Sequence, residues 1–237
     1  MKNNSKEKSI FSVNPKTLRR TSLSRKITHG ILRNLLDMRR NALLKMIESD
    51  VDCKSPVVDM GCNQGYLTRP LSLKHNVIGL DVDKHVLRYA KRCNKHVDFI
   101  CCDLSHLPLR KSSVNTAICA SVFEHLENLS KAIADLKFVF KKKGKLFAGY
   151  PIETRVLEIL IGLFFWGGPE TKVWDQKNLL KHKDRLQDPE THKQNYLEIR
   201  KMLKEGFSLL KFQKIPFNFL PDLLSIYEHA VLEKNDI

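Results

Sequence analysis

The sequence predicts an α/β domain built on a doubly wound, mostly parallel sheet, and three observations carry that reading. The first is the run Val57-Val58-Asp59-Met60-Gly61-Cys62-Asn63-Gln64-Gly65-Tyr66, an apolar segment that breaks into a tight glycine turn and then a helix. The second is another apolar segment, Asn76-Val77-Ile78-Gly79-Leu80-Asp81, which ends in a carboxylate twenty residues after Gly61. The third is that further apolar runs follow in order at 97–102, 116–120 and 145–151. A strand, a glycine turn, a helix and a second strand ending in an acid form a βαβ unit suited to a nucleotide-like ligand, the acid meeting a ribose diol.

Each element has a local reason. Residues 1–30 hold eight Lys or Arg against one acid, Glu7, with five serines among them, a composition of a solvated tail. Ile31 to Ile47 places apolar residues at 31, 35, 36, 38, 43, 44 and 47, close to one helical face. Gly61 and Gly65 lack a Cβ, so the turn can take backbone angles closed to other residues and admit a ligand close to the main chain. Val97 to Cys102 and Thr116 to Ala120 read as the third and fourth strands, Leu136 to Lys143 as a helix, and Lys145 to Pro151 as the fifth strand after a turn at Gly144. Val156 to Trp166 is almost wholly apolar and stops at Gly167-Gly168-Pro169. Tyr196 to Lys204 reads as a helix, Phe207 to Pro216 as a strand and Tyr227 to Lys234 as the closing strand.

A nicotinamide dinucleotide site would place glycines at 61, 63 and 66, where this chain has Gly61, Asn63 and Tyr66, and the close pyrophosphate approach is then missing. The glycine turn instead resembles motif I of the class I S-adenosylmethionine-dependent methyltransferases. The resemblance extends through Asp103-Leu104 and Leu107-Pro108-Leu109 after the third strand, and through Ser121-Val122-Phe123-Glu124-His125-Leu126 after the fourth, which looks like the EHL segment of the small-molecule, type 11-like branch. The motifs stand in family order over residues 35 to 151. Two positions depart from the pattern: the middle motif I glycine is Asn63, and the acid that commonly opens the fourth strand is Asn115.

The resemblance implies a seven-stranded Rossmann-like sheet with a helical lid, one methyltransferase domain over residues 31–237, and residues 152–195 as the acceptor insertion. It implies S-adenosylmethionine as cofactor. Asp59 would lie near its methionine end beside Gly61, Asn63 and Gly65. Asp81 and Val82 would meet the ribose and its surroundings, Asp103 and Leu104 the adenine, and Ala120, at the end of the fourth strand, would also line the cofactor. An arginine of the leading helix, Arg39 or Arg40, would reach the cofactor carboxylate. The apolar run at 156–166 implies a small or lipid-like acceptor, or a helix lying at a membrane interface.

Composition narrows the alternatives. A chain of 237 residues with 42% hydrophobic content supports one large core, with little room for a second domain. No apolar run reaches the length needed to span a bilayer, and the polar, lysine-rich start is unlike a signal peptide; the expected location is cytoplasmic, with peripheral membrane contact open to the tail. The six cysteines at 53, 62, 93, 101, 102 and 119 show no C-x-x-C spacing, so neither a zinc site nor a disulfide frame is expected. Cys62, Cys101, Cys102 and Cys119 are expected as small apolar residues on core strands. The net charge of +15 allows salt-sensitive contact with an anionic membrane or nucleic acid. The fourth-strand segment lacks the Asn/Asp-Pro-Pro-aromatic tetrad of enzymes that methylate base amino groups.

A methyl already activated on a sulfonium leaves the protein to align donor and acceptor, and a hydroxyl acceptor also needs a base. His125, at the carboxyl edge of the sheet, is the first candidate, with His192 and Tyr150 behind it. The competing class is a fold relative that binds cofactor, RNA or membrane without turnover.

Overall fold

The computed structural model describes residues 31–51, 55–154 and 192–235. The basic tail at 1–30 and the apolar run at 156–166 lie outside the described residues. Helix α1 (Ile31–Glu48) leads into β1 (Val57–Met60), the short α2 (Thr68–Leu71), β2 (Val77–Asp81), α3 (Lys84–Cys93), β3 (Asp98–Cys101) and β4 (Val114–Ala120). After a 3-10 turn (Phe123–His125) come α4 (Leu129–Val139), β5 (Phe140–Pro151), α5 (Tyr196–Gly206), β6 (Phe207–Ile215) and β7 (Tyr227–Lys234).

The seven strands form one sheet in the order β3-β2-β1-β4-β5-β7-β6. β1 to β5 run parallel, and β7 lies antiparallel between β5 and β6. The registers Met60 with Leu80, Met60 with Cys119, and Asp81 with Cys101 bring the carboxyl ends of the four first strands to one edge. That edge is where open α/β sheets place ligands, on either side of the reversal in strand order at β1 and β4.

β1 is buried at all four positions, as expected of a central parallel strand covered on both faces. Alternation along the strands splits the core into two layers. Val58, Met60, Leu80, Cys119 and Leu146 pack with Leu136 of α4 and Ile199 and Leu203 of α5. On the other face Val57, Val77, Ile118 and Phe147 pack with Leu43, Met46 and Ile47 of α1. Each such fully buried aliphatic side chain contributes about 1.5 to 3 kcal/mol.

Helix starts follow their caps. The side chains of Asp83, Asn128 and Asn195 accept from the backbone N–H of His85, Lys131 and Glu198 respectively, satisfying donors that the first helical turn leaves open. One expectation is corrected here: the helix read over Leu136 to Lys143 is α4, Leu129–Val139, and the chain is already strand from Phe140. Leu129, Ile133 and Leu136 supply its buried stripe, whereas the exposed Lys141, Lys142 and Lys143 offer no apolar face to bury. A second correction concerns Cys101, which is exposed and not in the core, while Cys62 and Cys119 are buried and Cys102 half-buried. The reason is topological, since β3 is the sheet's edge strand.

Candidate active site

The motif I turn is held by backbone geometry. Gly61, Asn63 and Gly65 all have positive φ, at 73°, 46° and 83°. The left-handed region strains most residues but is tolerated by glycine and, next best, by asparagine, so Asn63 in place of the middle glycine keeps the turn. The N–H groups of Gly61 and Cys62 both donate to the carbonyl of Leu80, at 2.8 and 2.9 Å. The positive φ expected of Gly61 has a second reason beside it: a Cβ built there would sit 2.2 Å from Cγ2 of Val122. The space beside Gly61 is filled by the chain after β4, which locks the first loop onto the fourth-strand loop.

Asp81 joins the first two strand ends. Its Oδ2 accepts from the Asn63 N–H at 2.8 Å, and its Oδ1 from the Asp83 N–H at 2.9 Å. Burial raises its pKa above the ordinary carboxylate value, against the pull of these backbone donors. With the backbone N–H of Val82 also directed at the carboxylate, these donors still leave it acceptor capacity, and the Val82 side chain stands exposed. Asp59 is fully buried and accepts from Thr68 Oγ1 at 2.5 Å, which ties β1 to α2. Burial pushes its pKa up to about 6, with the Asp81 carboxylate adding to the rise. Asp103 is exposed and its carboxylate accepts from the Ser105 N–H at 2.7 Å, while Leu104 packs into the core. Ala120, half-buried, closes β4.

The histidines meet across a long stretch of sequence. The N–H groups of Lys193 and Gln194 donate to the Glu124 carbonyl at 2.6 and 3.1 Å, and Gln194 Nε2 donates to the Leu126 carbonyl at 3.0 Å. This anchorage sets the His192 ring edge-on to His125, with centroids 4.9 Å apart. His192 Nδ1 pairs with Glu153 Oε1 at 2.6 Å. Burial lowers the His192 pKa, but the Glu153 hydrogen bond and charge outweigh it and leave the imidazole above its usual value. Glu124 is buried, and burial pushes its pKa up to about 7.

Two other expected site residues have partners of their own. Tyr150 is buried, its hydroxyl donates to Glu228, and burial raises its pKa. That environment opposes the phenolate a base would need, and the side chain instead belongs to a network in which Arg200 reaches Glu228 at 2.6 Å and Asp222 at 2.8 Å. Arg39 lies over the Tyr227 ring, 4.3 Å from its centroid, and its carbonyl is 2.9 Å from His229 Nε2. Tyr227 in turn shares a 2.8 Å hydrogen bond with Ser121 Oγ. Arg40 lies over Tyr66 at 4.8 Å. Glu124, Glu153, Ser121 and Tyr227 were not picked out from the sequence, although the Glu124-His125 pair stands in the EHL segment itself.

Comparison with known proteins follows the same geometry. Residues 58–148 match the family model described as a methyltransferase domain. An uncharacterised protein of Methanocaldococcus jannaschii is 33% identical over 104 residues, 44% of this chain and 43% of that protein; the chain therefore spans less than half of that relative's length. The ubiquinone biosynthesis O-methyltransferase of Rickettsia felis is 25% identical over 162 residues, 64% of this chain and 66% of the relative. Among solved structures, magnesium protoporphyrin IX methyltransferase of Synechocystis, with bound S-adenosylhomocysteine, superposes with a TM-score of 0.61 at 19% identity, covering 94% of this chain and 96% of that one.

Residues 58–148 of this chain thus match a methyltransferase domain, on a fold shared with structures that carry S-adenosylhomocysteine. The residues present fit S-adenosylmethionine, because Asp81 retains acceptor capacity at the end of β2, beside a turn whose backbone takes left-handed angles at three positions. No helix among the described residues is long and apolar enough to cross a membrane.

Proposed function

We propose that this protein is an S-adenosylmethionine-dependent methyltransferase acting on a small-molecule or lipid-like acceptor. The observation that carries the reading is the pairing of His125 with His192 at the same sheet edge as the Asp81 latch. Gly61, Asn63, Gly65, Asp81 and Val82 would hold the cofactor, and Asp103 and Leu104 its adenine. The bound cofactor supplies a methyl group on a positively charged sulfur. The chain's own residues orient the acceptor and take its proton: His125 is the candidate base, and His192, held by Glu153 at 2.6 Å, is its neighbour. A neutral imidazole suits that role near neutral pH, and general-base help is typically worth about 100- to 10,000-fold in rate. The apolar run at 156–166 supports a greasy acceptor, and the basic residues of 1–30 support contact with an anionic surface.

The test is incubation with methyl-labelled S-adenosylmethionine and fractionated host extract. Label entering a small-molecule or lipid fraction, and reduced at least tenfold by His125→Ala, is the expected result. Binding of S-adenosylhomocysteine without label transfer to any fraction would instead support a fold relative that does not turn over, and label in RNA or protein would overturn the acceptor class. Serine at both Phe164 and Trp166 should lower transfer to a lipid fraction while leaving cofactor affinity unchanged.

A further inference from the structure

Glu124, His125 and His192 each bring one ligand atom within 4.8 Å of the others. Two imidazoles and a carboxylate are a donor set that binds divalent zinc, cobalt or manganese and leaves coordination positions open. Glu124 is only 2% exposed, and its Oε2 is buried without a hydrogen-bond partner. An orphaned buried carboxylate oxygen costs free energy unless something compensates it. Glu153 adds the outer element of such sites, since a carboxylate 2.6 Å from His192 Nδ1 fixes the tautomer that leaves Nε2 as a donor. The anchorage of Lys193 and Gln194 on the Glu124 carbonyl is what delivers the second imidazole.

The geometry points to a divalent metal site formed by Glu124, His125 and His192, with Glu153 positioning His192. Resting on the methyl-transfer reading, the ion's open positions would take the acceptor through oxygen, most readily a hydroxyl next to a second oxygen donor that chelates. With His125 committed to the ion, the metal would take over from that imidazole the task of easing loss of the acceptor's proton, and would hold the acceptor as well.

The experiment uses the full chain, stripped with a chelator and titrated with Co2+ without any methyl donor, following its visible absorption and the metal content after dialysis. About one Co2+ per chain is expected, displaced by Zn2+. His192→Ala should weaken Co2+ binding at least tenfold, and Glu153→Gln about 10- to 100-fold, with melting temperature and S-adenosylhomocysteine affinity unchanged. Should Glu124→Gln or His125→Ala fail to fold, the half-exposed Glu153 and His192 positions carry the test alone. Co2+ uptake no greater than that of His192→Ala, in a chain that still binds S-adenosylhomocysteine, overturns the metal site and leaves the methyl-transfer reading standing. Tight Co2+ binding with no label transfer to any extract fraction would overturn methyl transfer and keep the site.

Discussion

Asp81 accepts a hydrogen bond from the Asn63 N–H at 2.8 Å, so one carboxylate at the end of β2 holds the left-handed centre of the turn after β1. A side chain read as a ribose ligand is therefore also the clamp on the loop that would surround the cofactor.

Substituting Asp81 tests both roles. A hydrogen bond to a charged group contributes about 1.5 to 3 kcal/mol, roughly 10- to 150-fold in affinity. Asp81→Ala should weaken S-adenosylhomocysteine binding by at least that factor in calorimetry. Asp81→Asn, which can still accept on one oxygen, should lose less. Equal affinity in all three proteins would remove Asp81 from the site.

The contact between Gly61 and Val122 makes a paired prediction. Gly61→Ala combines a left-handed φ of 73° with a Cβ 2.2 Å from Val122 Cγ2. The backbone part alone costs about 1 to 2 kcal/mol. The single variant should melt well below wild type, and adding Val122→Ala should recover the steric part but not the backbone part. No recovery in the double variant would mean that Val122 is not what excludes the side chain.

Asp59 gives a pH dependence with a defined sign. Its folded pKa is raised to about 6, above the ordinary unfolded value of about 3.9, so the native state binds the proton more tightly than the unfolded chain. That proton-linked stabilisation is fully present below about pH 4, declines as pH rises towards 6, and is absent above it. A shift of about two pKa units corresponds to about 3 kcal/mol. Asp59→Asn should flatten the stability profile between pH 4 and 6 in urea unfolding; an unchanged slope there would show that Asp59 does not titrate in this range.

The Arg200 network predicts strong coupling. Glu228 is 4% exposed, bonded by Tyr150 and paired with Arg200 at 2.6 Å. Removing the partner of a buried charge typically costs about 3 to 5 kcal/mol. Arg200→Met should fall in that range, whereas Arg200→Met with Glu228→Gln should cost clearly less than the two single changes added together. Additive losses in a double-mutant cycle would deny the pairing.

The parallel strands were legible because burial on both faces writes itself as continuous apolar runs, and Gly61, Gly65 and Asp81 because a left-handed turn and a strand-end acid leave local marks. The exposure of Cys101 was not legible, since strand order and not composition puts β3 at the edge. The start of α4 is not legible in the run at 136–143, because the Asn128 cap and the buried stripe from Leu129 lie before it. Tyr150 looked like a ligand-edge residue by its place at the end of β5, but whether its hydroxyl faces a substrate or Glu228 depends on β7, which pairs with β5 in antiparallel register.

By itself the sequence determined the βαβ order, the glycine turn and the carboxylate that closes it, because these are properties of neighbouring residues and their spacing. Only the tertiary structure decided that Val122 fills the space beside Gly61, that Glu153 grips His192, and that His192 meets His125 and Glu124. Those contacts join segments separated by tens of residues, and their geometry is set by strand register and packing, which no local pattern encodes.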